Sequence, residues 1–383
     1  MLRALCLAMA VLVLPLESSF ADARTDSDEN AALKYWQAFA TLPKFADAEN
    51  KKLAEVLTTP LDDLARKTLT DAQYSLQMMH YGAAQPRCDW GMCHQQGVFT
   101  RLPQADAARV MASLVCLRAR MRFEAGQNAE AVDDIVAGMT LSRHCSLTGT
   151  NIMLLSGYAI EHRMIEALAL HIPKLDPKII PDLKKRIAAI PAGLTLADAL
   201  ATEEKYFLDW FVRTVKKAKD KESLLAVLAF IDIEPEGQPR GSGEKTRAFI
   251  EACGGSTEGV LRRAEETRES YREVTKMLAM PMDQFEKEFD LEAKKRADNP
   301  VFKVFFPAIV NVRRAQARMD VRRALLSAAL AVRQDGPDAL KNNPDPVLGG
   351  PFEYAPFDGG FELSSKLKGR DDKPVTLTVG HRG

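Results

Sequence analysis

The segment RCDWGMCHQQG, residues 87 to 97, comes closer to a chemical motif than any other part of the chain. Cys88 and Cys93 stand five positions apart, and His94 directly follows the second cysteine. Covalent haem attachment normally uses C-x-x-C-H, in which two thiols form thioethers and the histidine ligates the iron. Because four residues separate the cysteines here, the spacing disfavours a haem site.

A zinc site is a second interpretation of this segment. Cys88, Cys93 and His94, joined by the distant pair His144 and Cys145, would supply the mixed thiolate and imidazole ligands that Zn²⁺ binds as a tetrahedron. Two separate segments of the chain must meet for this set to form. An oxidising compartment also favours conversion of the thiols to disulfides, which weakens the zinc interpretation.

A disulfide between Cys88 and Cys93 needs the fewest additional partners, and the sequence favours it. Gly91 allows the chain to turn between the cysteines, and a bridge would stiffen a connection with little other structure. With the bridge formed, His94 would have no chemical role. The remaining alternative is a loop that is anchored by Trp90 and carries free cysteines.

Two further groups of charged residues stand out. Arg314, Arg318 and Arg322 recur every four residues, which places them on one helix face that could bind phosphate, an anionic lipid surface or an acidic partner. A solvated face paired with local acids is the interpretation we favour. Glu203 and Glu204 are adjacent and point about 100° apart on a helix, which also indicates a solvated face. These patterns predict neither catalytic residues nor a cofactor.

The N-terminal sequence MLRALCLAMAVLVLPLESSFADA is typical of a signal peptide covering residues 1–23. It has a basic Arg3, an apolar segment at 4–16, and small residues at Ala21 and Ala23. This predicts export to the periplasm or the cell exterior, with retention as an N-terminal anchor as the alternative. The apolar segment falls short of the roughly 20 residues that span a bilayer, and no later segment reaches that length without charges.

Composition excludes some classes of function. The chain has 52 basic and 52 acidic residues, whereas a nucleic-acid-binding protein normally carries a basic excess. Five cysteines follow residue 23, and this odd number leaves at least one thiol outside any internal disulfide. Cys116 lies within an apolar helical stripe, so we expect it in the core.

Helical spacing of apolar residues from about 30 to 334 predicts a mainly α protein of packed helical hairpins, tetratricopeptide-like or α-solenoid-like. The clearest hairpin covers 104–145 and turns at Gly126. Glycine and proline predict a mobile loop at 232–243 that separates helical regions at 24–231 and 244–340. A tail at 341–383 is expected to hold a small β-hairpin, with strands at 351–354 and 360–364, and a frayed end.

Several stretches resemble a family of uncharacterised exported proteins of planctomycete-type bacteria. They are NAALKYWQAFATLP, CDWG, LVCLRARMRFEAGQNAEAVDDI and DPVLGGPFEYAPFDGGFELSS. The last stretch, with the preceding RRAQARMDVRRALLSAALAV, also resembles the C-terminal part of type II secretion pseudopilins. The chain lacks the long apolar N-terminal helix of that second group. The resemblance implies an exported, mainly helical protein and brings no catalytic residues with it.

Together these features predict an exported helical interaction or scaffold protein with a protein partner in the cell envelope. We expect no nucleic-acid partner and no transmembrane segment after signal cleavage. The alternative function is that of a metal- or haem-binding protein, or an enzyme, centred on the loop from Cys88 to His94.

We expect signal peptidase to cut after Ala23, or after Ala21 as the alternative, because small residues occupy both pattern positions. Mass spectrometry of protein from the periplasmic fraction gives the N-terminus directly. A chain that retains Met1 there would contradict this prediction.

Overall fold

The computed structural model describes residues 29–232, 243–306, 308–369 and 371–382. The predicted signal peptide at 1–23 lies outside these residues, as does 233–242, which is most of the predicted mobile loop. Helices dominate and one small antiparallel sheet forms near the C-terminus, which confirms the predicted mainly α fold with a C-terminal β-hairpin. No helix in the described part of the chain is long and apolar enough to cross a bilayer.

The described residues form α-helices that we number in chain order: α1 (Ala31–Ala40), α2 (Asp47–Ala54), α3 (Asp63–Asp71), α4 (Gln73–Ala83), α5 (Gln104–Glu124), α6 (Asn128–Ser146), α7 (Asn151–Ala169), α8 (Ile180–Ala188), α9 (Leu196–Glu203), α10 (Asp209–Val215), α11 (Lys221–Val227), α12 (Glu244–Ala252), α13 (Thr257–Met277), α14 (Met282–Lys295), α15 (Pro300–Phe305) and α16 (Ile309–Asp335). The strands are β1 (Glu353–Phe357), β2 (Gly360–Lys368) and β3 (Pro374–Val379). A π-helical turn, Glu204–Leu208, joins α9 to α10.

Helices α5 and α6 form the predicted hairpin. Gly126, with φ 74°, takes the left-handed conformation that commonly ends a helix, just after α5. A Cβ atom at Gly138 of α6 would lie 2.4 Å from Met164 Sδ on α7 and 3.3 Å from Val115 Cγ1 on α5. Glycine at this position therefore lets three helices pack closely. Cys116 is fully buried on α5, as predicted.

The buried apolar side chains form two clusters. The first core consists of residues from α1 to α8, the sheet and the C-terminal part of α16, where Met319 and Leu330 belong to it. The second core is formed mainly by α9 to α15, and Ile309 and Val312 at the start of α16 belong to it. Helix α16 is therefore part of both cores and connects them.

The residues on both sides of the expected boundary at 232–243 belong to the second core. Leu228 before this segment and Phe249 after it pack in the same cluster. The Asp232 carboxylate accepts a hydrogen bond of 3.2 Å from the backbone N–H of Thr246, in the first turn of α12. The two ends of the segment are thus held together, and the change from one core to the other falls between α8 and α9. The bounds of the expected helical regions, 24–231 and 244–340, therefore do not coincide with the bounds of the two cores.

A buried carboxylate on α7 connects three helices. Arg323 of α16 donates from Nε and Nη2 to the two oxygens of Glu161, both at 2.8 Å. Arg143 of α6 donates from Nη2 to Glu161 Oε1, also at 2.8 Å. Two-pronged guanidinium contacts of this kind are strong and fix orientation. They hold α16 against α6 and α7.

The sheet has the order β1-β2-β3, with both pairs antiparallel. Phe357 pairs with Gly360 across a two-residue turn, which confirms the predicted hairpin. Leu363 of β2 pairs with Leu377 of β3, and both side chains are buried in the first core. Hydrophobic side chains at alternate positions thus pack one face of the sheet against the helices.

The prediction of a frayed C-terminal end was wrong. Residues 374–379 form β3, in which Val375, Leu377 and Val379 are buried. The alternation of these apolar residues with polar ones is the pattern of a half-buried strand. Burial of the three side chains and pairing with β2 offset the entropy that this segment loses on ordering.

Replacement of Arg323 by Met should lower the free energy of unfolding by about 3 kcal/mol, because the Glu161 charge stays buried without its two-pronged partner. Arg66→Met on α3 removes an exposed partner of Asp63 and should change stability by less than about 0.5 kcal/mol. Urea unfolding of the two variants measures the difference. Equal effects would show that the buried network contributes little.

Candidate functional site

The loop that carries Cys88 and Cys93 is anchored by Trp90. The Trp90 indole N–H donates to the backbone carbonyl oxygen of His144 at 2.7 Å, and its ring stacks on Tyr35 at 5.6 Å between centroids. Trp90 is 95 % buried, since only 5 % of its surface is exposed. The centre of the loop is thus packed into the first core through an aromatic side chain and a hydrogen bond.

The thiols of Cys88 and Cys93 are unpaired, so the predicted disulfide is absent from the structure. Cys88 is partly buried and packs against the first core, where burial raises its pKa above the usual range of a thiol. Cys93, three residues after Trp90, is exposed. Because Trp90 fixes the chain between them, the cysteines lie in different environments. The structure matches the alternative of a Trp90-anchored loop with free cysteines.

The residues of the hypothetical zinc site come together only in part: Cys145 lies near enough to Cys88 to raise the pKa of that thiol, whereas Cys93 and His94 line a separate pocket. His144 is buried, its Nδ1 lies 2.9 Å from the Tyr35 hydroxyl oxygen, and burial lowers its pKa to about 4. Cys145 is buried as well, which raises its thiol pKa to about 12. His94 instead stacks on Tyr206 at 4.6 Å. In the described part of the chain, the group whose ligand atoms do come together is Glu124, His171 and His381.

An open pocket of about 500 Å³ lies beside the loop and is lined by Cys93, His94 and Tyr206 among others. Nδ1 of His94 is buried and has no hydrogen-bond partner among the described residues. Burial lowers the His94 pKa, which favours the neutral imidazole. Cys88 lies against the core rather than in this pocket. Attachment of one haem to both thiols would therefore require the loop to leave the core.

Glu203 differs from the solvated residue that the sequence predicted. Its carboxylate accepts hydrogen bonds from the backbone N–H of Asn151 at 3.0 Å and from Asn151 Nδ2 at 2.8 Å. It thereby satisfies a free N–H in the first turn of α7. Glu204 instead pairs with Arg268 at 3.3 Å. Each of the two carboxylates therefore makes its own structural contact. This agrees with the angle of about 100° between adjacent side chains on a helix.

The arginine stripe of α16 lines a broad concave surface. Two adjoining cavities of about 850 and 930 Å³ share Leu155, Ala315, Arg318 and Gly369 as lining residues. Arg314 lines the first cavity and Arg322 the second. The predicted helix face is thus one wall of a groove rather than an open solvated surface.

Strands β2 and β3 supply the opposite wall. Exposed Lys366 and Lys368 of β2 line the first cavity, while Lys373 and Arg382 line the second. We call this surface, between Arg314, Arg318 and Arg322 on one side and these four residues on the other, the basic groove. The second wall was not predicted from the sequence, although Lys366 and Lys368 alternate along a strand and so point to one face.

Part of the positive charge of the basic groove is neutralised within the protein. Arg314 Nε lies 2.7 Å from Glu286 Oε1, and Arg382 Nη2 lies 2.8 Å from Glu362 Oε2. Apolar and aromatic side chains, such as Leu155 and Tyr158, also line the cavities. The groove therefore offers mixed contacts with a modest positive excess, which suits an acidic ligand that also has apolar groups.

Stability should depend on pH through Glu203, because burial raises its pKa to about 7 against the lowering effect of the Asn151 hydrogen bond. The folded protein holds this proton more tightly than the unfolded chain, in which Glu has a pKa near about 4.3. Stability of the wild type relative to Glu203→Gln should therefore fall as pH rises from about 4.3 to about 7, then stay constant.

Urea midpoints across this pH range measure that difference. Glu222→Gln, at an exposed position on α11, controls for the loss of one carboxylate. A wild-type advantage over Glu203→Gln that does not change with pH would contradict the predicted titration.

Comparison of the chain with models of protein families, with curated proteins and with solved structures finds no match. The resemblance to exported proteins of planctomycete-type bacteria thus stays a prediction. The chain's own geometry, above all the basic groove, is therefore the basis for a functional proposal.

Proposed function

We propose that this protein is an exported helical scaffold that binds an acidic segment of a partner protein in the basic groove. The observation that supports this function is the position of two basic walls on either side of one concave surface. Arg314, Arg318 and Arg322 come from α16, and the facing Lys366 and Lys368 come from β2. Complementary charge of this kind gives specificity and speeds association.

The spacing of the arginines fits an extended peptide. Residues four apart on a helix are separated by about 6 Å along its axis, so the three arginines extend over about 12 Å. An extended chain advances about 3.3 Å per residue, and alternate side chains face the same way. Acidic side chains at alternate positions of a short segment would thus meet successive arginines. The backbone of such a segment would lie along the groove.

The mixed lining favours a protein segment over the other anionic ligands. Glu286, Asp371 and Asp372 also line the cavities, so the net positive charge is small and suits a segment with few, spaced carboxylates better than a polyphosphate of high charge density. A concave surface has less contact with a flat lipid headgroup layer than a basic patch on a convex face would have. Leu155 and Tyr158 would instead pack against apolar side chains of a peptide.

The cell envelope is the proposed place of this interaction, since the signal-like segment at 1–23 predicts export. The alternative function, a metal- or haem-binding protein or enzyme centred on the loop from Cys88 to His94, receives less support. Its two cysteines lie in different environments, and Trp90 holds the chain between them in the first core.

Binding of a labelled peptide that alternates Glu and Leu tests the proposal. The variant Lys366→Glu with Lys368→Glu reverses one wall of the basic groove and should weaken binding by at least about tenfold. Lys216→Glu with Lys217→Glu, at exposed positions after α10, makes the same change in net charge away from the groove and should bind like the wild type. Fluorescence anisotropy at low salt measures the three affinities.

The outcomes separate the classes of ligand. Equal weakening in both double variants would show that binding depends on net charge alone and would contradict the proposed site. Binding of polyphosphate or anionic phospholipid vesicles, but not of the peptide, with loss only in the groove variant would contradict the protein partner. Circular dichroism of each variant confirms that the fold is retained.

A further inference from the structure

Three residues with metal-binding side chains meet where α5 and α7 end. Glu124 is the last residue of α5, His171 follows α7, and His381 follows β3. One ligand atom from each residue lies within 4.8 Å of those of the other two. The backbone N–H of Gly380 donates to the carbonyl oxygen of Ala169 at 3.0 Å. This bond holds the chain that bears His381 beside the end of α7.

His171 carries the argument for a ligand at this position. Only 1 % of its surface is exposed, and neither of its ring nitrogens has a hydrogen-bond partner among the described residues. Its ring stacks on Phe123 at 4.4 Å, which fixes the direction of the imidazole. A buried polar group without a partner is unfavourable, so an imidazole in this position favours a ligand that accepts its lone pair.

The other two residues can approach such a ligand. Oε1 of Glu124 lies 4.0 Å from His171 Nδ1, and the His381 ring packs against that of His171 at 5.6 Å between centroids. Glu124 and His381 are both exposed, so their side chains can rotate inward. Nζ of Lys174 lies 3.5 Å from Glu124 Oε1, but this lysine is exposed and can turn to solvent.

We propose that Glu124, His171 and His381 bind a divalent transition-metal ion of the Zn²⁺ type. Two imidazoles and one carboxylate are a donor set that Zn²⁺ uses when a further position stays open to water or another ligand. Ca²⁺ and Mg²⁺ prefer oxygen ligands alone, so they fit this set poorly. The three donors come from α5, from the end of α7 and from the C-terminal segment. A bound ion would therefore tie the C-terminal segment to the helices.

Titration of the untagged full chain with Zn²⁺, in competition with a chromogenic chelator, tests this site. All proteins carry Cys93→Ser, because an exposed thiol beside a histidine binds zinc on its own account. This background protein should bind one equivalent of Zn²⁺. His381→Ala should weaken binding by at least about tenfold, since it removes a direct ligand. His162→Ala, at a histidine paired with Glu166 on α7, is the matched control and should bind like the background protein.

Thermal unfolding gives a second readout. Zn²⁺ should raise the midpoint of the background protein and of His162→Ala, but not that of His381→Ala, because only binding to the folded state stabilises it. Glu124→Gln removes a second proposed ligand and should also lose affinity. Its position is exposed, so this substitution disturbs the fold less than a substitution of the buried His171 would. Absence of one-equivalent binding, or equal binding by His381→Ala and the control, would overturn the proposal.

Discussion

The arrangement of the two cores depends on the ion pairs of one buried carboxylate, that of Glu161. It lies on α7, and it binds Arg143 of α6 and Arg323 of α16 through contacts of 2.8 Å. Removal of a carboxylate from water is costly, and only complete pairing offsets the cost. These ion pairs therefore fix the position and rotation of α16 relative to α7. Apolar packing alone is less directional and would allow more variation.

The position of α16 in turn determines the basic groove. Arg323 faces Glu161, whereas Arg314, Arg318 and Arg322 line the cavities on another side of the helix. The sheet packs on α7 and α16 through Leu363, Leu377 and other buried residues of the first core. A rotation of α16 would break the contact with Glu161 and would also turn the arginines out of the groove. One internal ion pair thus sets the orientation of an external binding surface.

Local signals in the sequence predict the regular elements well. The stripe of apolar residues and the break at Gly126 predict the α5–α6 hairpin, and Asp358 with Gly359 forms the turn of the β-hairpin. The arginine spacing correctly places three residues on one helix face. The strand β3 could also have been predicted, because Val375, Leu377 and Val379 alternate with polar residues. The pattern covers only six residues, so its signal in the sequence is weak.

Features that depend on contacts between distant segments could not be predicted from local patterns. The cysteine spacing allows a disulfide, but the packing of Trp90 against Tyr35 and His144 decides where each thiol lies. Glu203 is on a helix that looks solvated, and its partner Asn151 is 52 positions away. Glu124 and His381, two residues of the proposed metal site, come from opposite halves of the chain. Tertiary packing alone brings such residues together.

The first core is discontinuous along the chain, and this has a consequence for the order of folding. Its early members lie on α1 to α8, but α16 and the sheet complete it only with residues that are synthesised much later. Contacts across such long separations form slowly, because the intervening chain must first be ordered. The helices made first therefore remain incompletely packed until α16 and the sheet have been synthesised. For a chain that is secreted as we propose, this delay would keep the earlier helices loosely packed, and so able to pass through a translocation channel, until those elements are made.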